Sequence, residues 1–277
     1  MRRLIVNADD LGINAPRSHG IFLCFEHGIV RSATLIVNGS DAETAARRAR
    51  EKNLPTGLHL NLTQGEPISA PKDVSSLLEA NGNFFDRHAL SRALGEGTVE
   101  PLHIEREIRA QVEWFLDHHG APTHLDGHHS IHTHPVIVPL LIPVMHRYGI
   151  RLVRMHDEPL PPFGWEISEQ RLAHLQTLCE QARAARALFE ANGITSTDHF
   201  RGLALAGNAS QKNLRHILSK LPEGTTELMT HPGSPTPLGD PFDLDPQRQT
   251  ELAMLTDERL PAYLKERGVE LCSYQDL

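Results

Sequence analysis

The chain's 277 residues suffice for one large core, close to the roughly 250 of a single α/β barrel. Against 35 Asp+Glu stand 27 Lys+Arg, a formal charge of -8 with no basic run, which argues against nucleic acid or an anionic membrane as partner and for a small or neutral substrate. Cys24, Cys179 and Cys272 lie far apart in apolar or helical stretches and read as reduced core thiols, and no apolar run nears the roughly 20 residues that span a bilayer.

The run Leu4-Ile5-Val6-Asn7-Ala8 is a buried strand that ends in two adjacent carboxylates, Asp9 and Asp10, with Gly12 and a helix start following at once. Strand residues begin so close to Met1 that no room is left for a signal peptide, and a cytoplasmic protein is expected. Asn14 caps a helix to His27, with Pro16 in its first turn and Gly28 as its stop. A second strand covers Ala33 to Asn38, and Ser40 with Glu43 has the spacing of a capping box for a helix ending near Asn53. Leu58 to Leu62 is a third strand. Residues 63–100 break the rhythm with Pro67, Pro71, Gly82, Gly95 and Gly97; an insertion of this length is usually functional and is read as part of a substrate lid.

A helix from Pro101 to Gly120 carries Ile104, Ile108, Val112 and Phe115 at helical spacing. The densest stretch follows, Pro122 to Pro135, with His124, Asp126, His128, His129, His132 and His134. Beyond it come an apolar helix from Val136 to about Tyr148, a strand Ile150 to Arg154, a Pro-rich loop Pro159 to Gly164 and a helix from the Ser168 cap to Asn192. A short strand ends at Thr197-Asp198-His199-Phe200, a helix spans about Ser210 to Leu221, and a strand Thr226 to His231 stops at Pro232-Gly233. The loop Ser234 to Asp245, one helix from about Pro246 to Arg267 and a last strand Val269 to Tyr274 complete the chain. Seven or eight mostly parallel strands alternating with helices describe a single α/β domain over 1–277, an irregular (β/α) barrel of the glycoside hydrolase/deacetylase type with an insertion at about 63–100. Neither a dinucleotide fingerprint nor a Walker A loop is present.

Barrel sites are assembled from strand C-termini, so the last polar residues of each strand are the candidates. They are Asp9 and Asp10, Asn38, His59 and Asn61, Asp126 and His128, Arg154, Asp198 and His199, and His231. One carboxylate and two imidazoles on one face of a divalent cation leave room for water and substrate. Asp10, His59 and one histidine of the 124–134 cluster meet that need, and spacing alone does not choose among His124, His128, His129, His132 and His134. His231, at a strand end and able to titrate near neutrality, is the candidate general acid.

The segments Val6 to Gly12, Gly57 to Thr63, Thr123 to His132 and Glu227 to Gly233 resemble the YdjC/ChbG family of carbohydrate deacetylases, in order and spacing over nearly the whole chain. The Thr197-Asp-His-Phe200 segment and the Leu-Cys-Ser-Tyr-Gln-Asp-Leu end also resemble its hopanoid-associated HpnK branch. The resemblance implies a deformed (β/α) barrel, one divalent metal cation (Mg²⁺ or Zn²⁺, or another transition metal) and removal of acetyl from N-acetylated sugars. Carried over, Asp10, His59 and His128 are metal ligands and Asp9 is the general base. Asn38, Asn61, Asp126, Arg154 and Asp198 are then expected around a small carbohydrate or glycolipid substrate, and a homodimer is compatible with the fold. The sequence departs from the family at Leu11, usually Phe, and at Ser130, commonly His, and the second departure bears on sugar specificity. The alternatives are a metal-dependent phosphoesterase on the same barrel and a non-catalytic carbohydrate-binding protein. A glycosidase needs two acids flanking a bond and no metal, which the excess of histidine opposes.

Overall fold

In the computed structural model, residues 1–160, 164–234, 236 and 241–277 are described; the rest of the Pro159 to Gly164 and Ser234 to Asp245 loops lies outside them. The sheet is built around β1 (Arg2–Leu11), buried from Leu4 onward. It pairs in parallel with β2 (Ser32–Leu35), β6 (Gly224–Thr230) and, through Arg2 to Leu4, with β7 (Val269–Leu271). From β2 the sheet runs to β3 (Thr56–Leu60) and β4 (Leu125–Gly127). Isolated parallel bridges, Leu125 to Val153 and Leu152 to Thr195, continue from β4 to the segment that leads into β5 (His199–Arg201), which pairs β6 and so returns to β1. The expected irregular barrel is therefore formed, with seven strands, all pairing in parallel, among the described residues.

Alternation along β1 divides the barrel into two environments. Leu4, Val6 and Ala8 face outward into the main apolar core, where helices α1 (Ala15–His27), α2 (Ala42–Glu51), α4 (Pro101–His118) and α5 (Val138–Arg147) cover the sheet. Burying a side chain the size of Leu4 or Val6 stabilises the fold by about 1.5–3 kcal/mol. Ile5, Asn7 and Asp9 point inward, and above Ile5 the interior is polar. A Cβ on Gly20 would come within 2.6 Å of the Gly233 Cα, so the absent side chain lets α1 lie directly against the turn after β6.

Several local expectations change. Ser40 and Glu43 form no capping box: Ser40 Oγ donates to the Ile13 carbonyl, and the backbone at Ser40 and Asp41 is bound to Ile13 and Gly12. Residues 63–100 contain α3 (Arg87–Glu96), capped by the Asp86 carboxylate and stopped by Gly97 at φ 69°. The insertion is tied to α4 instead of lying free: Glu107 accepts the Ile68 and Ser69 amides. The helix α6 (Glu169–Ala191) starts at its Ser168 cap as expected, and α7 spans Gln211–Leu218. The single helix expected over 246–267 is two, α8 (Gln247–Leu255) and α9 (Leu260–Glu266), with Pro261 in the first turn of the second, where a missing N–H costs nothing.

Candidate active site

Strict alternation would send Asp9 and Asp10 to opposite faces of β1. The register against β2 slips between Ala8 and Leu11, and Asp10 sits at φ 67°, a left-handed conformation that Asp tolerates better than most residues. The bulge brings both carboxylates to the same cavity. Arg17, buried on α1, holds Asp10 Oδ2 at 2.8 Å and ion-pairs with Asp243, which leaves Asp10 Oδ1 aimed inward.

Towards that oxygen point two imidazoles. His59, near the end of β3, places Nε2 3.4 Å from Asp10 Oδ1 while its Nδ1 lies 2.6 Å from Asp126 Oδ1. His128 opens a tight turn, His128–Thr133, in which His129 (φ 52°) and Ser130 (φ 62°) are left-handed. Its Nδ1 lies 3.0 Å from Asp10 Oδ1 and its Nε2 2.9 Å from Gln64 Oε1. Asp10 Oδ1 is buried without a well-formed hydrogen bond of its own, and one atom from each of the three residues falls within 4.8 Å of the others. Each imidazole thus has one nitrogen fixed by an oxygen partner and the other free to coordinate, the pattern found around bound divalent metals. Asp10, His59 and His128 could hold such an ion. Burial opposes charge on Asp10, but His128, His59 and Arg17 hold its carboxyl well below the usual range. For His59 burial is likewise outweighed, by Asp126, Asp10 and Asp9, and its pKa is raised to about 10.

Asp9 has a different neighbourhood. Arg154 grips both of its oxygens, Nη1 to Oδ2 at 2.5 Å and Nη2 to Oδ1 at 2.7 Å, and Asn7 donates to Oδ1 at 2.8 Å. Against the cost of burial, Arg154 lowers the Asp9 pKa to about 2. His231 Nε2 is 3.9 Å from Asp9 Oδ2, and its backbone N–H is held by Glu251. Its titration near neutrality is not met. Burial, helped by Arg248 and Arg17 and opposed by Asp9 and Asp10, pushes its pKa down to about 3, so the imidazole is neutral.

The remaining predicted residues are distributed differently from a substrate-contact set. Asp126 is fully buried beneath His59, bonded also to Arg154 and Thr34, and lies outside the cavity lining. Arg154 reaches the cavity but its donors are taken by Asp9, Asp126 and Glu227. Asn38 and Asn61 bond each other and the Gln64 carbonyl, and so shape the loop whose side chain meets His128. Asp198 is not brought to the site. It and His199 stand at the beginning of β5, not its end, where Asp198 accepts the Thr225 amide and His199 meets the Glu223 carbonyl near the opposite mouth. Of the histidines left open by spacing, His124 is stacked on Tyr274 and His132 bonds the Arg154 carbonyl. Sequence reasoning passed over Arg17 and Glu227. Their signals were a cation three residues after a helix cap and a lone carboxylate inside an apolar strand.

Above these groups, at the C-terminal mouth of the barrel, is a cavity of about 690 Å³, within the usual size of small-ligand sites. Arg87, Arg171 and Phe242 line it together with the apolar Leu175, Leu178 and Leu203. The arrangement combines a three-donor cation site, an ionised carboxylate beside it and a neutral imidazole within reach of that carboxylate.

The model of the YdjC-like protein family matches residues 3–266. A carbohydrate deacetylase of Mus musculus is 37% identical, with 99% of this chain and 94% of that protein aligned. A chitooligosaccharide deacetylase of Serratia marcescens is 32% identical over 99% of this chain and 98% of its own length. Among solved structures, an Enterococcus faecalis protein described as a cellobiose-phosphate cleavage protein superposes with a TM-score of 0.77 at 22% identity, covering 99% of this chain and 98% of that one, which bears on the fold alone. Among the described residues no helix is long and apolar enough to cross a membrane.

Proposed function

The chain belongs to the YdjC-like protein family, and on that premise we propose that it is a metal-dependent carbohydrate deacetylase that hydrolyses the acetamide of an N-acetylated sugar or glycoconjugate. The observation that carries the reading is the convergence of Asp10, His59 and His128 beside Asp9 in one cavity. The names of relatives aligned over nearly their whole length support the substrate class. Asp10, His59 and His128 would hold a divalent cation, which would supply a Lewis acid able to polarise an amide carbonyl and lower the pKa of water from about 15.7 towards neutrality. Two imidazoles and one carboxylate suit Zn²⁺ and its neighbours better than Mg²⁺, which prefers oxygen donors.

The chain's own residues handle the protons. Asp9, ionised at neutral pH, accepts a proton from the attacking water. Because Arg154 makes it a weak base, it gives that proton up readily. It passes the proton to neutral His231, 3.9 Å away, and the imidazolium so formed donates it to the leaving amine. Water's proton thereby ends on nitrogen as the C–N bond breaks. A second cation site for phosphoester chemistry is poorly supplied: the other possible ligand group among the described residues, Asp9, His59 and Asp126, shares His59 and has both carboxylates on Arg154. Three buried free cysteines support a cytoplasmic setting.

The test is acetate release from a panel of N-acetylated sugars by metal-stripped protein re-supplied with single metals, beside Asp9→Asn. The variant is expected to bind metal and lose about 10²- to 10⁴-fold in rate. Hydrolysis of phosphate esters with no acetate from any sugar would sink the reading.

A further inference from the structure

Beneath Arg154, away from the cavity, the barrel is closed by the C-terminal end of the chain. β7 pairs with the first residues of β1, the Cys272 amide donates to the Leu4 carbonyl, and the chain then turns inward. Asp276 fixes that turn by accepting the Ser273 amide at 2.7 Å and hydroxyl at 2.9 Å. Tyr274 is delivered into the barrel with 1% of its surface exposed and its ring stacked on His124 at 3.5 Å and 8°. Its hydroxyl donates to Glu227 Oε2 at 2.5 Å. The other oxygen of Glu227 takes Arg154 Nε at 2.8 Å and Nη2 at 2.7 Å.

A guanidinium has five N–H groups in a rigid plane. Here Glu227 takes two directions, Asp9 two and Asp126 one, so the plane has a single orientation in which both Asp9 bonds form. Glu227 keeps its own place through Tyr274. We propose that Tyr274 and Glu227 are positioning residues for the reaction: the C-terminal segment, through Glu227, orients Arg154 and thereby Asp9. The proposal rests on the deacetylase reading for its kinetic arm, and of its two residues Tyr274 lies beyond residues 3–266, which the family model matches.

Tyr274→Phe removes the hydroxyl and keeps the ring on His124; Glu227→Gln keeps the shape and removes the charge. Each is expected to lower kcat about tenfold or more, since small misplacement of a reacting group costs that much. KM should stay within roughly twofold and bound metal should be unchanged, because neither residue touches the cavity or the ligands. The double variant should fall no further than the worse single one, both acting on one guanidinium. In parallel, solvent exchange of the Arg154 Nε–H, followed by ¹⁵N NMR, should speed up about tenfold in Tyr274→Phe. Unchanged kcat and unchanged exchange overturn the proposal, and so does a loss of kcat that only tracks loss of folded protein or bound metal. If Tyr274→Phe does not fold, Glu227→Gln carries the same comparison. The exchange reading requires no turnover, so a parent chain that releases no acetate defeats the deacetylase reading while Arg154 still decides the positioning claim.

Discussion

Replacing Asp126 by Asn isolates what a buried carboxylate contributes to the proposed metal centre. Asp126 offers Oδ1 to His59 Nδ1 at 2.6 Å and Oδ2 to Arg154 Nη1 at 2.8 Å, with Thr34 also on Oδ2. An asparagine of the same shape has one acceptor and one donor for these two places. If its NH₂ meets Arg154, two donors oppose each other in a buried site. If it meets His59, Nδ1 must become the acceptor, the proton moves to Nε2, and the nitrogen facing Asp10 can no longer coordinate. Either way the variant is expected to bind Zn²⁺ or Co²⁺ about 10- to 100-fold more weakly, or about 1.4–2.8 kcal/mol. Competition against a chelating dye measures it, with circular dichroism checking that the fold persists. At saturating metal, acetate release should recover more fully than in Asp9→Asn, because Asp126 does not line the cavity. An Asp126→Asn protein with parental metal affinity would refute the orienting role of the carboxylate.

Metal uptake should release protons. The His59 pKa is raised to about 10 in the metal-free protein, so at pH 7 coordination must displace a proton from it. Affinity should therefore rise with pH up to about 10, and calorimetry in buffers of differing ionisation enthalpy should show that release. The same shift stabilises the metal-free fold fully below pH 6.5, the ordinary histidine value, and its contribution is lost as pH rises through about 10, as alkaline thermal melts would reveal. Arg17→Met leaves Asp10 and Asp243 without their buried cation, a change on the order of 3–5 kcal/mol. Thermal melts should show a smaller loss for metal-loaded than for metal-stripped protein, since a bound cation takes over the charge of Asp10; equal losses would contradict that sharing.

Much of this is legible in the chain itself. The strand that dies in Asp9-Asp10, the cap at Asn14, the cap at Ser168 and the alternation of strand with helix are local signals, carried by period and by residues that satisfy nearby backbone groups. Those signals suffice for a parallel (β/α) sheet and for the list of polar strand ends. What they misplaced was where a strand begins: a pattern ending at Phe200 put Asp198 at the wrong mouth of the barrel, because a three-residue strand has too few alternations to show its direction of entry.

Partnership was decided only by the tertiary structure. Alternation assigns Asp9 and Asp10 to opposite faces, and a bulge with a left-handed Asp10 overrules it. Nothing local distinguishes His128 from its neighbours; it faces Asp10 because the turn after β4 contains two left-handed residues. Asp9, Arg154, Glu227 and Tyr274 are scattered from the first strand to the last turn, and their contacts span up to 145 residues of sequence between Arg154 and Asp9. Closing a parallel barrel brings strand ends together irrespective of their separation along the chain, and in that buried interior each charge acquires the partner that sets its proton affinity.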